Sequence, residues 1–261
     1  VNFFAQRGYG VFAYDATGND ESGGKQVEGF PQGLIDLNYA ISYVENSETL
    51  PKLPLVLWGH SWGAYAVTAV LKFHPEIRAV AALSGFNSPA AIVEVQGQAK
   101  LKLGMGMILP YFKIYEKLKF GKYAGVTSLD GFASSSTPLL IIQGSKDTTV
   151  PEACGYKIWQ AAYDGDPRFT FLLRPGFGHN DVYYTQQAVD YLAAFKQAYN
   201  LWVSQLPYDS KSKTQQAQFQ KDKSDYILAK LDRDQWTHLV DEDFMQEVVD
   251  FYDQQVQGAG R

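Results

Sequence analysis

Pro54-Leu55-Val56-Leu57-Trp58-Gly59-His60-Ser61-Trp62-Gly63 runs directly into Ala64-Tyr65-Ala66-Val67-Thr68-Ala69-Val70-Leu71-Lys72-Phe73. The first five residues are a short apolar run that suits a strand buried on both faces. The stretch from Ala64 reads as a helix. Between them, Gly59-His60-Ser61-Trp62-Gly63 fits G-x-S-x-G in the strand, turn, helix setting that this pattern requires. A serine on so tight a turn projects its hydroxyl above the end of the sheet. The flanking Gly59 and Gly63 are expected to let neighbouring backbone pass close by.

The same alternation continues on both sides. Gly10–Asp15 reads as a strand feeding a loop of turn-formers, Thr17–Gly24. Leu34, Ile35, Leu37, Ala40, Ile41 and Val44 have helical spacing within Phe30–Val44. Arg78–Leu83, Pro138–Gln143 and Arg168–Leu173 read as further strands. Pro151–Tyr163 and Asp181–Val203 read as helices, the first with its proline in a favoured first-turn position. Strands alternating with helices predict an α/β fold built on a mostly parallel sheet.

Two stretches interrupt the pattern. Asn87–Ser136 carries Lys100, Lys102, Lys113, Lys117, Lys119 and Lys122 among apolar and aromatic residues, and reads as a small helical cap. Its Met105, Met107, Leu109, Tyr111, Phe112, Tyr115 and Phe120 are expected to line an acyl pocket, with the lysines facing solvent or an anionic head group; an ordinary amphipathic helix pair with a solvated basic face stays equally open. Pro207–Arg261 opens polar and Gln-rich, then ends in a helix, Glu242–Val256. The expected organisation is a core of residues 1–86 and 137–206, a cap of 87–136, and a helical extension of 207–261.

Composition narrows the function. The chain has 261 residues, 46% of them hydrophobic and 20% charged, which supports a large core and excludes a disordered chain. A net charge of -5 argues against a general nucleic-acid binder. The lone Cys154 excludes an internal disulfide. The four histidines and this cysteine show no metal-ligand spacing of the CxxC or HExxH kind. No apolar run approaches the roughly 18 residues of a membrane span.

A serine nucleophile needs a base, and the base needs an acid to fix its tautomer. His60 lies inside the turn and is expected to point away from Ser61. His74 reads as a capping or surface residue, and His238 falls in the polar C-terminal region. His179, just past the strand Arg168–Leu173, sits where catalytic groups collect in parallel sheets. Asp147 follows the strand Pro138–Gln143 in the same way, whereas Asp181 reads as a helix N-terminal acid. The chain order is therefore Ser61, Asp147, His179, with the Trp62 N–H as an oxyanion donor.

With these residues in place, the chain resembles the serine hydrolases of the α/β-hydrolase superfamily, in the lysophospholipase-like, S33 and S9 peptidase-like group. Tyr14–Gly23 resembles the family segment D-x-R-G-x-G-x-S, with Thr17 where arginine is usual. Gly144–Pro151 resembles its acid loop and Gly178-His179 its base loop. The resemblance covers about Val1–Val203 and implies a sheet flanked by helices, a cap insertion and cleavage of carboxylic esters through an acyl-enzyme. It implies no metal or organic cofactor, and a small acyl compound rather than nucleic acid as partner. An aminopeptidase or acyl-peptidase of the same fold and a non-catalytic ligand-binding relative stay open. The family's oxyanion loop and third strand precede the residues that Val1–Gly8 resemble, and they are expected upstream of Val1.

Overall fold

The structure, a computed structural model, describes residues 1–101 and 105–257. Lys102 and the side chains of Lys100, Met105 and Met107 lie outside the described residues. The chain divides into two compact units, one of Val1–Val182 with the stretch from Gln246 onward, the other Tyr183–Met245.

The first unit is built on the apolar runs. Val56–His60 (β1), Ala79–Leu83 (β2), Leu139–Gly144 (β3) and Phe169–Arg174 (β4) form a parallel sheet in the order β1-β2-β3-β4. Parallel strands buried on both faces have no polar alternation, and accordingly every residue of β2 and β3 is buried. The helices of this unit are Asn2–Ala5 (α1), Pro31–Asn46 (α2), Trp62–Ala69 (α3), Pro89–Leu101 (α4), Met105–Phe120 (α5), Ser128–Ser134 (α6) and Tyr156–Tyr163 (α7). Helix α3 packs across β1 and β2 on one side and meets α2 and α6 on the other. Leu34, Leu37 and Ile41 of α2 join Ala64, Tyr65, Val67 and Val70 in the main core. Such a helix-on-sheet layer buries most of the apolar side chains that the two patterns present.

Gly10–Asp15 is not a strand. It runs beside α2 and the start of β1, where these elements line an apolar cavity of about 480 Å³ with Val11, Phe12 and Tyr14. An apolar run becomes a strand only when its amides meet a neighbouring strand, and β1 is the outer strand of the sheet on this side. Pro151–Tyr163 is not one helix either. A short 3₁₀ turn, Glu152–Cys154, precedes α7, and Gly155 between them forms an antiparallel bridge with Phe86. A Cβ at Gly155 would sit 2.3 Å from the Gly85 carbonyl oxygen, so only glycine permits this approach.

Within the second unit, Gln186–Ser204 (α8), Gln216–Lys230 (α9) and Arg233–Thr237 (α10) precede Glu242–Gln257 (α11), which begins here and continues into the first unit. Helix α8 starts five residues later than the sequence predicts. Thr185 caps it by accepting the Ala188 N–H at 3.0 Å, while Asp181 turns back to accept the Gly178 N–H at 2.6 Å. Tyr199, Trp202 and Tyr226 cluster between α8 and α9, with Trp202 stacked on Tyr226 at 4.5 Å. The Gln-rich stretch read as polar chain therefore forms a helix, α9, because α8 offers it an aromatic face.

Helix α5 carries an electrostatic cost. Glu116 on α5 is 2% exposed, and its Oε1 has no hydrogen-bond partner among the described residues. Burial pushes its carboxyl up to about 7. The unfolded carboxyl ionises near the ordinary glutamate value, so between there and about pH 7 the folded chain holds the extra proton. Stability from this group therefore falls as pH rises through that window, and the cost persists above it. Glu116→Gln should raise the unfolding free energy near pH 8, by at most about 3 kcal/mol, and do little near pH 4. Urea melts of both proteins at the two pH values check this; a gain at pH 4 as large as at pH 8 would contradict it.

Candidate active site

Ser61 stands between β1 and α3 with φ 58° and ψ -116°. A side-chain-bearing residue pays about 1–3 kcal/mol for such a backbone and keeps it only where its surroundings fix it. Here the Ser61 N–H donates to the Leu83 carbonyl at 2.8 Å and its carbonyl accepts the Tyr65 N–H at 3.2 Å, tying the turn to β2 below and the helix above. The two flanking glycines differ in their need. A Cβ at Gly59 would lie 2.4 Å from the Gly63 carbonyl oxygen, whereas one at Gly63 meets nothing within 4 Å. Only Gly59 is sterically required; Gly63 contributes its backbone to the close approach.

The three residues expected at the strand ends meet. His179 Nε2 lies 2.8 Å from Ser61 Oγ and His179 Nδ1 lies 2.7 Å from Asp147 Oδ2. The Asp147 side chain is fully buried and its Oδ1 accepts the Thr149 and Val150 N–H groups at 2.9 and 2.8 Å. Burial alone would raise its carboxyl, but the bonds from His179, Val150 and Thr149 and the histidine's charge outweigh this and hold it below the ordinary range. An ionised Asp147 accepts a hydrogen bond from Nδ1–H, which leaves the Nε2 lone pair facing Ser61.

Two loops hold this geometry. The Lys146 N–H donates to the Phe177 carbonyl at 2.8 Å, and the Gly176 N–H donates to Ser145 Oγ at 2.9 Å, so the loops that follow β3 and β4 are joined. Arg174 at the end of β4 lies over the Phe177 ring at 4.1 Å and donates to the Val182 carbonyl at 2.8 Å. Trp62, the first residue of α3, has no helical carbonyl behind it for its N–H. Its indole N–H donates to the Phe30 carbonyl at 2.7 Å, fixing the residue against the start of α2.

Two supporting residues escaped the sequence reading. Gln143, the polar end of an apolar strand, is buried and donates to Asp147 Oδ2 at 3.2 Å and to the Val150 carbonyl at 3.1 Å. His60, expected to point away from Ser61, reaches the backbone of His179. Its Nε2 lies 2.7 Å from the His179 carbonyl and the two rings are 4.8 Å apart. Burial lowers its pKa, so His60 is neutral and donates through Nε2. His60→Leu removes that donor and should lower kcat about 10-fold on an activated ester with little change in KM. His60→Gln retains a donor and should recover most of the loss; equal activity of both variants would show that His60 does not position His179.

The other histidines lie apart. His74 is a buried residue, not a surface one, and its ring nitrogens face Glu76 Oε1 at 2.8 Å and Asn38 Oδ1 at 3.2 Å. Among the described residues, Glu45, His74 and Glu76 bring potential ligand atoms within 4.8 Å of one another, a grouping with no spacing signature in the sequence. His238 is exposed just past the end of α10.

The profile of the family described as serine aminopeptidase, S33, matches residues 1–124, a span that holds Ser61 but neither Asp147 nor His179. No curated protein matches. Among solved structures, an esterase from Pyrococcus furiosus superimposes with a TM-score of 0.50 at 20% identity, covering 77% of this chain and 72% of its own. A Thermus thermophilus protein gives 0.47 at 22% identity, covering 75% of this chain and 79% of its own. A monoacylglycerol lipase from Paleococcus ferrophilus gives 0.46 at 14% identity, covering 75% of this chain and 85% of its own. The parallel sheet, the serine turn after its outer strand and the superposition on the first of these show that the chain has the α/β-hydrolase fold.

Proposed function

We propose that this chain is a serine hydrolase of carboxylic esters. The observation that carries the reading is the unbroken relay from Ser61 Oγ through His179 to Asp147, at 2.8 and 2.7 Å. In the first half-reaction Nε2 of His179 takes the hydroxyl proton as Ser61 Oγ bonds to the acyl carbon. Asp147 stabilises the imidazolium through Nδ1–H. The Trp62 N–H, at the positive end of α3, faces the oxyanion. Collapse breaks the ester C–O bond, and the alcohol leaves with the proton from Nε2. In the second half-reaction His179 deprotonates water, which attacks the acyl-enzyme and returns Ser61 as the free hydroxyl.

The helical segment 87–136 is the cap in this reading. Gln96 on α4 donates to the Thr149 carbonyl, two residues from Asp147, and Tyr115 on α5 donates to the Glu28 carbonyl at 3.0 Å. These bonds tie the segment to the acid loop and to the entry of α2. The family description of the matching profile favours a second reading, amide hydrolysis by the same residues.

The test is covalent labelling by a fluorophosphonate, followed by kinetics on short acyl p-nitrophenyl esters and aminoacyl p-nitroanilides. Labelling at Ser61 with kcat/KM higher on esters is expected. Higher kcat/KM on the anilides would move the activity to peptidase. Folded protein that takes no label would leave a binding protein on a hydrolase fold.

A further inference from the structure

The end of the sheet away from Ser61 holds a second group of ligand-type side chains. Strands β1 and β2 are parallel, with Val56 paired to Ala79 and His60 to Leu83. Ser61 follows the last residue of β1, whereas His74-Pro75-Glu76 lies just ahead of the first residue of β2. A five-residue strand sets the two places about 16 Å apart. Helix α2 turns Asn38 and Glu45 toward this loop. They stand two helical turns apart and so share one face, beside the buried Ile41. Potential ligand atoms of Glu45, His74 and Glu76 all lie within 4.8 Å of one another. The imidazole is the buried member and both glutamates are exposed.

The loop that carries His74 is fixed. The His74 N–H donates to the Val70 carbonyl at 2.9 Å, Ser135 Oγ donates to the Pro75 carbonyl at 3.2 Å, and Thr137 Oγ1 donates to the Ile77 carbonyl at 2.8 Å. Two observations then point to a cation. First, the ring stands between acceptors, with Nε2 3.2 Å from Asn38 Oδ1 and Nδ1 2.8 Å from Glu76 Oε1. A neutral imidazole has a single N–H. Given to Asn38, it leaves the Nδ1 lone pair against a carboxylate oxygen, acceptor facing acceptor. An outer hydrogen bond of this kind is what orients a metal-binding histidine. Second, among the described residues no lysine or arginine pairs with either carboxylate. Lys52 is close by, yet its Nζ donates to the Glu45 and Ser47 carbonyls instead. The competing state is a histidine whose Nδ1–H donates to Glu76, with no ion.

We propose that His74, Glu76 and Glu45 bind a divalent transition-metal ion, zinc by ligand type. One imidazole with two carboxylates is a mixed nitrogen and oxygen set, which suits zinc, whereas calcium and magnesium take oxygen. Tetrahedral ligands about 2.1 Å from zinc lie about 3.4 Å apart, so the exposed carboxylates close by about 1 Å onto a fixed ring, and water completes the set. The ion clamps the last turn of α2 to the loop that enters β2. It touches neither Ser61 nor His179, and the proposal does not depend on the hydrolase reading.

The full chain, stripped with EDTA and desalted, is titrated calorimetrically with zinc chloride, and separately with calcium and magnesium chloride. Zinc should bind one ion per chain at this site, at least about 100-fold tighter than calcium or magnesium. His74→Gln, and Glu45→Gln with Glu76→Gln, should each weaken zinc binding by about 100-fold or more, and Asn38→Ala by about 10–100-fold. Saturating zinc should raise the melting temperature of the wild type and not that of the double variant. His238→Gln, at an exposed histidine, should change nothing. Thermal melts establish that each variant is folded, and the double variant, altered only at exposed positions, carries the test if His74→Gln does not fold. No zinc binding overturns the proposal. So does zinc binding that the folded double variant retains, or calcium or magnesium binding as tight as zinc.

Discussion

Ser61→Ala should lower kcat on an activated ester by about 10⁴–10⁶-fold while leaving the protein folded. The hydroxyl is the only atom removed, and its closest polar neighbour in the site is His179 Nε2 at 2.8 Å. His179→Ala should cost about as much, because no other base among the described residues is hydrogen-bonded to Ser61 Oγ. Asp147→Asn should cost about 10⁴-fold for a different reason. An amide at 2.7 Å from Nδ1 can turn its NH₂ toward the ring, which moves the imidazole proton to Nε2 and removes the lone pair facing Ser61. In the proposed mechanism the three groups act as one unit, so the triple variant should be little worse than Ser61→Ala alone. Steady-state kinetics with thermal melts of each variant check this. Wild-type turnover by folded Ser61→Ala protein would rule the mechanism out.

Gly59→Ala should be the most damaging single-methyl change near the site, although residue 59 takes no part in chemistry. The new Cβ would lie 2.4 Å from the Gly63 carbonyl oxygen, 2.5 Å from its carbon and 2.8 Å from the Ala64 nitrogen. All three are backbone atoms of the turn and α3, so no side chain can move aside. The turn must open, breaking the bonds that hold Ser61 to Leu83 and Tyr65. A loss of about 3 kcal/mol or more, or no soluble protein, is expected. Gly63→Ala is the control. Its Cβ meets nothing within 4 Å and it lies in α3, so stability should hold or rise by up to about 1 kcal/mol. Urea midpoints of the two variants decide the matter; equal midpoints would mean that the turn is not built as described.

Burial and periodicity are properties of a short stretch, and there the sequence was a sound guide. All four strands sit within two residues of the apolar runs that predict them, because a strand covered on both faces leaves no room for polar residues. Helix α2 also appears where its spacing places it. Where an element depends on a partner, the sequence was silent. Gly10–Asp15 is as apolar as β1 but stays outside the sheet, since a ladder needs a second strand. The break at Gly155 depends on Gly85 and Phe86, some 70 residues earlier. In α5 the period marks a stripe but not its direction. Tyr111 and Tyr115, expected to line a pocket, are exposed, and the buried position goes to Glu116.

The sequence by itself determined that a serine on a tight turn, an acid and a histidine each follow an apolar strand, in that chain order. Parallel strands carry their loops to one edge of the sheet, so this ordering already brings the three to the same end. Tertiary structure alone decided the contacts. His179 lies 118 residues from Ser61 and 32 from Asp147, and hydrogen bonds at 2.8 and 2.7 Å across those separations require strand register and joined loops. The same holds for His60, whose ring nitrogen reaches the backbone carbonyl of His179, 119 residues away. Residue type states what a side chain can donate or accept, and only the packing of distant segments states to whom.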